Sequence, residues 1–387
     1  MFFSEKIISK LLKLPTPFYY YDVDIFEMTI KKVIEASKNI NGKIHYALKA
    51  NHQNRLLGIV AKSGLGADCV SGGEIQKALE NGISAESIVF AGVGKTDAEI
   101  EYAIKNKVFC LNVESIEELM VIDSIAQKMN DKVSIALRIN PNVDAYTHKF
   151  ITTGLEENKF GINASDLKDA LEKLSNLKNV ELIGIHFHIG SQITDLSVFK
   201  NLCLKINEIL RFLEERRIEV NHINVGGGLG INYMYPDEHL FPDFEGYFNV
   251  FEKFLERRPN QQLHFELGRA LVAQCGALIC KVIFHKTSGK KHFLILDSGM
   301  NHLIRPALYE AYHKMENISK YNELNVMLYD VCGPICETTD YFGKNVLLPE
   351  TQRGDYIAVR SAGAYGEVMA SNYNLRGYPS VYFSDEI

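Results

Sequence analysis

The sequence has 387 residues, of which 46% are hydrophobic and 23% charged, and its formal net charge is −6. This length predicts two domains, and the composition is that of a globular protein with a core of ordinary size. The charge argues against nucleic acid as a partner, and no segment approaches the roughly 20 apolar residues of a membrane helix. The first residues lack an apolar signal core, so we expect a cytoplasmic protein.

The cysteines predict neither a disulfide framework nor a structural zinc site. There are seven, an odd number at irregular spacings, and no two form a Cys-x-x-Cys pair. We therefore expect free thiols and no metal.

Short apolar runs alternate with helical patterns over most of the chain. The predicted strands are 44–48, 67–70, 87–91, 109–113, 133–139, 182–186, 222–225 and 263–266. The clearest helical patterns, with apolar residues three and four apart, are 98–106, 116–129, 166–174 and 199–217. Eight such alternations predict a parallel (β/α)8 barrel, although an open doubly wound sheet would give the same pattern.

The pattern changes after about residue 270. Strand-like runs at 275–284, 292–297, 325–329 and 355–360 are separated by turn residues, with few helical patterns. They predict a second, mostly β domain, to which the aromatic run 17–23 contributes a strand. We therefore expect a barrel over 25–270 and a β domain over 1–24 and 271–387.

Polar and glycine residues stand where the predicted barrel strands end. Catalytic groups of (β/α)8 barrels lie at that end of the strands. Taken alone, Lys49 is also typical of a surface cation, His188 of a core histidine, and the three glycines of a plain turn. However, Lys49 follows a run that should be buried, and a partly desolvated lysine is nucleophilic enough to form an imine. The residues concerned are Lys49, Asp68, His186, His188, Gly226, Gly227, Gly228, Glu266 and Arg269.

The three successive glycines suit a phosphate, because they expose backbone N–H groups after the seventh strand. A dinucleotide-binding fingerprint is the competing interpretation. It fits poorly, because Gly226-Gly-Gly-Leu-Gly230 lacks the G-x-G-x-x-G spacing.

Six motifs give the chain a resemblance to a known family over nearly its whole length. It resembles the diaminopimelate decarboxylases, pyridoxal-phosphate enzymes of the alanine-racemase-like fold class. The resemblance implies a (β/α)8 barrel with a C-terminal β domain, and a homodimer with active sites at the subunit interface. It also implies decarboxylation of meso-2,6-diaminopimelate to L-lysine, the last step of lysine biosynthesis. The motifs are Ala47-Leu-Lys-Ala-Asn51, His186-Phe-His-Ile-Gly-Ser191, Gly226-Gly-Gly-Leu-Gly230, Arg305-Pro-Ala-Leu-Tyr309, Cys332-Gly-Pro-Ile-Cys-Glu337 and Gly363-Ala-Tyr365.

The resemblance also implies which residues bind the cofactor. Lys49 is expected to hold pyridoxal phosphate as a Schiff base, His188 to stack on its ring, and Glu266 to contact the pyridine nitrogen. A carboxylate keeps that nitrogen protonated and makes the cofactor a strong electron sink, which favours decarboxylation. Alanine racemases of the same fold class place an arginine there. The other cofactor contacts implied are Asp68, Ser191, Gly227, Gly228, Gly268, Arg269 and Tyr365.

The substrate contacts implied are Arg269, Arg305, Tyr309, Glu337 and Tyr365. A guanidinium binds a carboxylate bidentately, so two arginines beside one glutamate suit a far end that carries both an ammonium and a carboxylate. Cys336 matches the family's proton donor, reaching the site from the partner subunit, since a thiol is a usable general acid near neutral pH. Outside the motif, a cysteine is more often a small buried hydrophobe.

Two alternatives remain open from the sequence. One is a related decarboxylase of ornithine, arginine or carboxynorspermidine, against which the segment from Arg305 to Tyr309 argues. The other is a non-catalytic cofactor-binding homologue, against which Lys49, Glu266 and Cys336 argue. The chain departs from the family at Leu267, usually proline, and at Thr338-Thr339, where Ser-Gly is common. The loop 146–161 is a candidate lid or a surface loop.

Overall fold

The computed structural model describes residues 2–143 and 159–387. Its helices are α1 Glu5–Leu11, α2 Val23–Ser37, α3 Asn54–Lys62, α4 Gly72–Glu80, α5 Asp97–Lys105, α6 Ile116–Met129, α7 Leu167–Leu174, α8 Ser197–Glu215, α9 Phe244–Phe254, α10 Arg269–Val272 and α11 Arg305–Tyr309. Its strands are β1 Phe18–Tyr21, β2 Lys43–Ala47, β3 Gly66–Cys69, β4 Ile88–Phe90, β5 Cys110–Val113, β6 Val133–Asn140, β7 Ile162–Asn163, β8 Val180–His186, β9 His222–Asn224, β10 Gln262–Leu267, β11 Gly276–Ser288, β12 Lys291–Leu296, β13 Met315–Asn317, β14 Val326–Cys332, β15 Tyr341–Pro349, β16 Tyr356–Val359 and β17 Ser380–Phe383.

Eight parallel strands close into a barrel. Their order is β5-β4-β3-β2-β10-β9-β8-β6, and β5 also pairs with β6, with Leu111 opposite Ile135. This last pairing closes the sheet, so the predicted (β/α)8 barrel is confirmed and the open doubly wound sheet is wrong. All eight predicted barrel strands coincide with observed strands to within two residues at each end.

Side-chain caps fix where the barrel helices begin. Ser71, Thr96 and Ser115 accept hydrogen bonds from the backbone N–H three residues later, at the starts of α4, α5 and α6. At α5, Glu99 returns a bond to the Thr96 N–H and completes a capping box. Such caps satisfy N–H groups that have no partner inside a helix, so these three helices have defined starting points.

The remaining strands form a second, mixed sheet. Its main order is β13-β16-β11-β12-β14-β15, and β1 lies between β11, which is antiparallel to it, and β17, which is parallel. The predicted strand over 17–23 therefore does belong to the β sheet. β15 was missed because Gly343, Lys344 and Asn345 interrupt its apolar pattern, and Asn345 has a φ of +53°.

The chain forms two compact units. The β unit comprises Met1–Thr29, Ile231–Pro242 and Arg269–Ile387, and the barrel unit comprises Ile30–Gly230 and Asp243–Gly268. The segment Ile231–Pro242 thus groups with the β strands, although it lies inside the range expected for the barrel. None of the described helices is long and apolar enough to cross a membrane. The candidate lid at 146–161 lies outside the described residues, apart from 159–161.

Candidate active site

Lys49 and Asp68 form an ion pair at the ends of two neighbouring barrel strands. Lys49 lies in the turn directly after β2, and Asp68 lies in β3 opposite Ala47. The Lys49 Nζ is 2.5 Å from the Asp68 Oδ2, and the Asp68 side chain has no exposed surface. Burial raises the pKa of Asp68, Glu266 adds to the rise, and Lys49 opposes it. The Asp68 Oδ1 is buried and without a partner among the described residues.

Three hydrogen bonds hold the buried carboxylate of Glu266 near the end of β10. Oε1 accepts from Asn224 Nδ2 at 2.8 Å and from Asn112 Nδ2 at 3.2 Å. Oε2 lies 3.1 Å from His186 Nε2. Burial, with Arg138 nearby, lowers the pKa of His186 to about 3, so this ring is neutral and donates its Nε2–H to Glu266. The carboxylate is therefore fixed in position before any ligand contacts it.

The glycine run after β9 cannot carry larger side chains. A Cβ at Gly227 would lie 2.0 Å from the Glu266 backbone oxygen, and one at Gly226 would lie 2.1 Å from that of Phe187. Gly226 and Gly228 also have φ values of +70° and +110°, which favour glycine. Asn224 Oδ1 accepts from the Gly226 N–H at 2.9 Å, so one side chain connects the glycine loop to Glu266.

His188 lies beside the glycine loop and is half-buried. The Gly227 N–H donates to its Nδ1 at 3.1 Å, which leaves the ring proton on Nε2 when the ring is neutral. Burial lowers the pKa of His188, and Arg138 and Lys49 act in the same direction. Ser191, also half-buried, follows three residues later, and the buried Gly268 follows β10.

A second buried ion pair lies close to these residues and was missed from the sequence. The Arg138 Nη1 is 2.6 Å from the Glu114 Oε1, and both side chains are almost fully buried. Glu114 also accepts from the backbone N–H groups of Gly92 and Gly161. The signal was present, because Asn112, Arg138 and Asn224 are polar residues inside apolar strand runs, as Glu266 is.

In the β unit, two buried arginines converge on one tyrosine. Arg269 Nη1 and Arg305 Nη1 donate to the Tyr233 Oη at 2.6 and 2.9 Å. The Arg269 guanidinium lies 4.9 Å from the centre of the Tyr365 ring. Tyr365 has a φ of +55°, an unusual backbone conformation that is common at functional sites. Tyr309, half-buried, ends the short helix that Arg305 begins. The structure thus brings the predicted Arg269, Arg305 and Tyr365 together, around a residue that the sequence did not single out.

Cys336 and Glu337 lie on an exposed segment of the β unit. The Cys336 N–H donates to Asn374 Oδ1 at 3.2 Å, and the Tyr373 hydroxyl donates to Glu337. Within the described chain, these bonds connect the segment to 373–374 and not to the arginine pair.

Known proteins share both the sequence and the fold. Residues 27–273 match the family model "Pyridoxal-dependent decarboxylase, pyridoxal binding domain". A diaminopimelate decarboxylase of Bacteroides thetaiotaomicron is 54% identical over 381 residues, 98% of each chain.

The chain belongs to the diaminopimelate decarboxylase family.

Solved structures of this family superpose closely on the chain. A diaminopimelate decarboxylase from Helicobacter pylori, complexed with L-lysine, is 40% identical with a TM-score of 0.91, covering 97% of this chain and 93% of that one. An arginine decarboxylase from Paramecium bursaria Chlorella virus has a TM-score of 0.86 at 23% identity, covering 98% of this chain and 100% of that one. The latter likeness concerns the fold alone, so the substrate has to be argued from side chains.

The cofactor of diaminopimelate decarboxylases is pyridoxal phosphate, and the barrel residues fit it. Lys49 offers an amine at a strand end, and Glu266 offers a fixed carboxylate that can retain a proton on a ring nitrogen. A Cβ at Gly226 or Gly227 would clash with neighbouring backbone, so this loop has to be glycine, and a glycine loop after a barrel strand suits a phosphate because its N–H groups are not covered by side chains. An acidic partner at the ring nitrogen favours decarboxylation, and the buried Glu266 carboxylate has the chemistry of such a partner.

Proposed function

We propose that this chain decarboxylates meso-2,6-diaminopimelate to L-lysine and CO2, the last step of lysine biosynthesis. Membership of the family supports the reaction class, and the convergence of Arg269 and Arg305 supports this substrate. Their Nη1 atoms meet at a single oxygen, and both side chains are about 95% buried. Two guanidiniums at one place favour an anionic ligand, and the carboxylate at the substrate's non-reacting end is such an anion. Ornithine and arginine have no carboxylate at that end.

The barrel residues are assigned to the cofactor and the reacting carbon. Pyridoxal phosphate, when bound, supplies an electron sink for the pair left behind when the bond to the departing carboxylate breaks. Lys49 anchors it, and Asp68 holds the Lys49 ammonium in place when the amine is free. Glu266 retains the proton on the pyridine nitrogen, and Asn112, Asn224 and His186 keep its carboxylate from turning away. His188 covers the ring, and Ser191, Gly227, Gly228, Gly268 and Tyr365 surround the phosphate side.

Cys336 is assigned to proton delivery. After CO2 leaves, its thiol gives a proton to the carbon that carried the carboxylate, while Glu337 binds the distal ammonium. We assign both to the partner subunit's active site, so the enzyme works as a homodimer. Two observations support this: the Cys336 segment is exposed, and it bonds to a turn whose apolar side chains Tyr373 and Leu375 are also exposed. The segment is therefore accessible to a partner subunit. The seven unpaired cysteines suit a reducing compartment, so we place the enzyme in the cytoplasm.

The experiment is to incubate the purified protein with pyridoxal phosphate and meso-diaminopimelate, and to measure L-lysine and CO2. We expect both products in equal amounts, with a higher kcat/KM than for ornithine, arginine or carboxynorspermidine. Faster turnover of ornithine would overturn the choice of substrate. Cofactor binding without turnover of any of the four would favour the non-catalytic alternative.

A further inference from the structure

Tyr233 is the centre of the arginine cluster of the β unit. It lies three residues after the glycine motif, in the segment Ile231–Pro242, and it is half-buried. Its single oxygen accepts from Arg269 Nη1 at 2.6 Å and from Arg305 Nη1 at 2.9 Å. The centre of its ring lies 4.9 Å from the Arg305 guanidinium and 5.9 Å from that of Arg269. One phenol therefore contacts both cations through its oxygen and through its ring face.

Arg305 is fixed by a second acceptor. Its Nη1 lies 2.8 Å from His313 Nε2, and His313 Nδ1 lies 2.8 Å from the backbone oxygen of Arg360. A carbonyl can only accept, so His313 carries its proton on Nδ1 and offers the Nε2 lone pair to Arg305. Burial and the Arg305 charge lower the pKa of His313 to about 3, which keeps the ring neutral. The Arg305 Nε is buried and has no partner among the described residues. Arg305 is thus held rigidly with a donor left over for a ligand.

The two guanidiniums repel each other, and Tyr233 supplies the shared oxygen that offsets this repulsion. Burial raises the pKa of Tyr233, but the two arginines outweigh it, so that the pKa lies below its usual value. The two nearby cations therefore stabilise negative charge on the phenol oxygen, which suits its position as an acceptor between them. Without that oxygen, the two arginines would lose the hydrogen-bond acceptor that they share, and this contact would no longer fix the spacing of their guanidiniums.

We infer that Tyr233 is a positioning residue, which spaces Arg269 and Arg305 to receive the carboxylate at the non-reacting end of the substrate. The inference rests on the proposed function and deepens it, because it names the residue that makes the arginine pair selective for that carboxylate. Selectivity arises because two cations at a fixed spacing match the two oxygens of a carboxylate and bind a bare ammonium poorly.

The stereochemistry of the reaction supplies ligands that test this role. Meso-diaminopimelate has one D and one L centre, and L-lysine retains the L centre. The D centre therefore loses CO2, and the L-centre carboxylate is the distal one. L-Lysine keeps this distal carboxylate, whereas D-lysine has the groups of the reacting centre and a distal ammonium without a carboxylate. A residue that acts through the arginine pair should affect the binding of L-lysine and not that of D-lysine.

The experiment compares Tyr233→Phe with the wild-type holoenzyme and with Tyr235→Phe, a matched control at an exposed tyrosine two residues away. For Tyr233→Phe we expect KM for meso-diaminopimelate and Ki for L-lysine to rise on the order of 10-fold, which corresponds to about one charge-assisted hydrogen bond fewer between the mispositioned arginines and the carboxylate. We expect kcat to change less than KM, and Ki for D-lysine to stay the same. Tyr235→Phe should match the wild type in all four constants.

Two results would overturn the inference. One is an unchanged KM and an unchanged Ki for L-lysine in folded Tyr233→Phe. The other is an equal rise in Ki for both lysines, which would mean a general structural role. If Tyr233→Phe does not fold, 4-aminophenylalanine at position 233 keeps the size and polarity but is a poor acceptor, and the same expectations apply to it. Failure of the wild type to decarboxylate meso-diaminopimelate would instead refute the proposed function, since only that result concerns the wild type alone.

Discussion

The Lys49 Nζ lies 2.5 Å from the Oδ2 of Asp68, a carboxylate without exposed surface, whereas the Lys49 side chain is 33% exposed. A ligand can therefore reach the Lys49 side chain, while the buried carboxylate of Asp68 neutralises the charge of its ammonium. Borohydride reduction of the wild-type holoenzyme should convert the imine between Lys49 and the cofactor into a stable covalent bond. Lys49→Ala should abolish this attachment and lower kcat by several orders of magnitude. Mass spectrometry of the reduced protein and its visible absorption measure the attachment.

Asp68→Asn is the matched control for that experiment. It removes the charge of the partner but leaves the amine of Lys49, so attachment should persist while kcat falls by a smaller factor. Attachment of the cofactor to Lys49→Ala at an unchanged level would show that another residue carries it.

Glu266→Gln should lower kcat by about 10²- to 10³-fold, the usual effect of removing one preorganised electrostatic group. The amide has nearly the same shape, but it cannot retain a proton on the pyridine nitrogen, so the cofactor loses strength as an electron sink. Cofactor binding should change little, since the glycine loop and Lys49 remain. The measurement is kcat at saturating meso-diaminopimelate, together with the dissociation constant of pyridoxal phosphate. A kcat within threefold of the wild type, with full occupancy by the cofactor, would contradict the role assigned to Glu266.

The barrel could be predicted from the sequence because its strands are buried on both faces and therefore appear as short continuous apolar runs. The period between them is regular, and only the choice between a closed and an open sheet needed the β5–β6 pairing. The second sheet was harder. β13 and β17 are three and four residues long, and β15 is half-exposed with a residue at positive φ, so local pattern carried little information.

The candidate site, too, could be predicted from the sequence only in part. Lys49 and Glu266 stand out because a charged residue ends an apolar run. Asn112 and Asn224 are likewise polar residues within apolar runs, but an amide there does not by itself indicate a contact with Glu266. Tyr233 gave no such signal, because a tyrosine outside any strand is unremarkable until two arginines distant in the sequence meet at its oxygen. Contacts between residues far apart in the chain follow from tertiary packing, which periodicity does not encode.

Mixing two inactive variants tests whether Cys336 acts across a dimer interface. Lys49→Ala and Cys336→Ala should each lose most activity, the second by about 10²- to 10⁴-fold, as expected for removal of a general acid. If the partner subunit's Cys336 completes each site, a mixed dimer has one site with both native residues. Random exchange of subunits should then restore up to about a quarter of wild-type activity, because half of the dimers are mixed.

The readout is L-lysine formation after the two variants are unfolded and refolded together, with each variant treated alone as the control. No recovery in a mixture that sediments as dimers would place Cys336 in the same subunit's site or outside any site.

Three buried histidines near the N-terminal ends of the barrel strands predict a loss of stability in acid. His45 Nδ1 faces the Ser87 carbonyl at 3.0 Å, so it carries the proton, and His45 Nε2 accepts from His264 Nδ1 at 2.8 Å. The His222 ring centre is 3.9 Å from that of His264, and both His222 nitrogens are buried without a partner among the described residues. Burial lowers the pKa of all three below the usual value.

A lowered folded-state pKa means that the unfolded chain binds protons first as the pH falls. The stabilisation by these neutral rings is therefore complete above about pH 6.5, the ordinary histidine pKa, and decreases below it by up to about 1.4 kcal/mol per pH unit for each ring. His222→Leu removes one such ring and its unpaired nitrogens, so the free energy of unfolding should be equal or higher by about 1 kcal/mol at pH 7.5. The difference in the free energy of unfolding between the variant and the wild type should increase as the pH is lowered to 5.5.

Urea unfolding at several pH values measures this difference. The control is His52→Gln, at an exposed barrel histidine, which should keep the wild-type dependence of stability on pH. Parallel curves for His222→Leu and the wild type would show that His222 does not contribute to acid sensitivity.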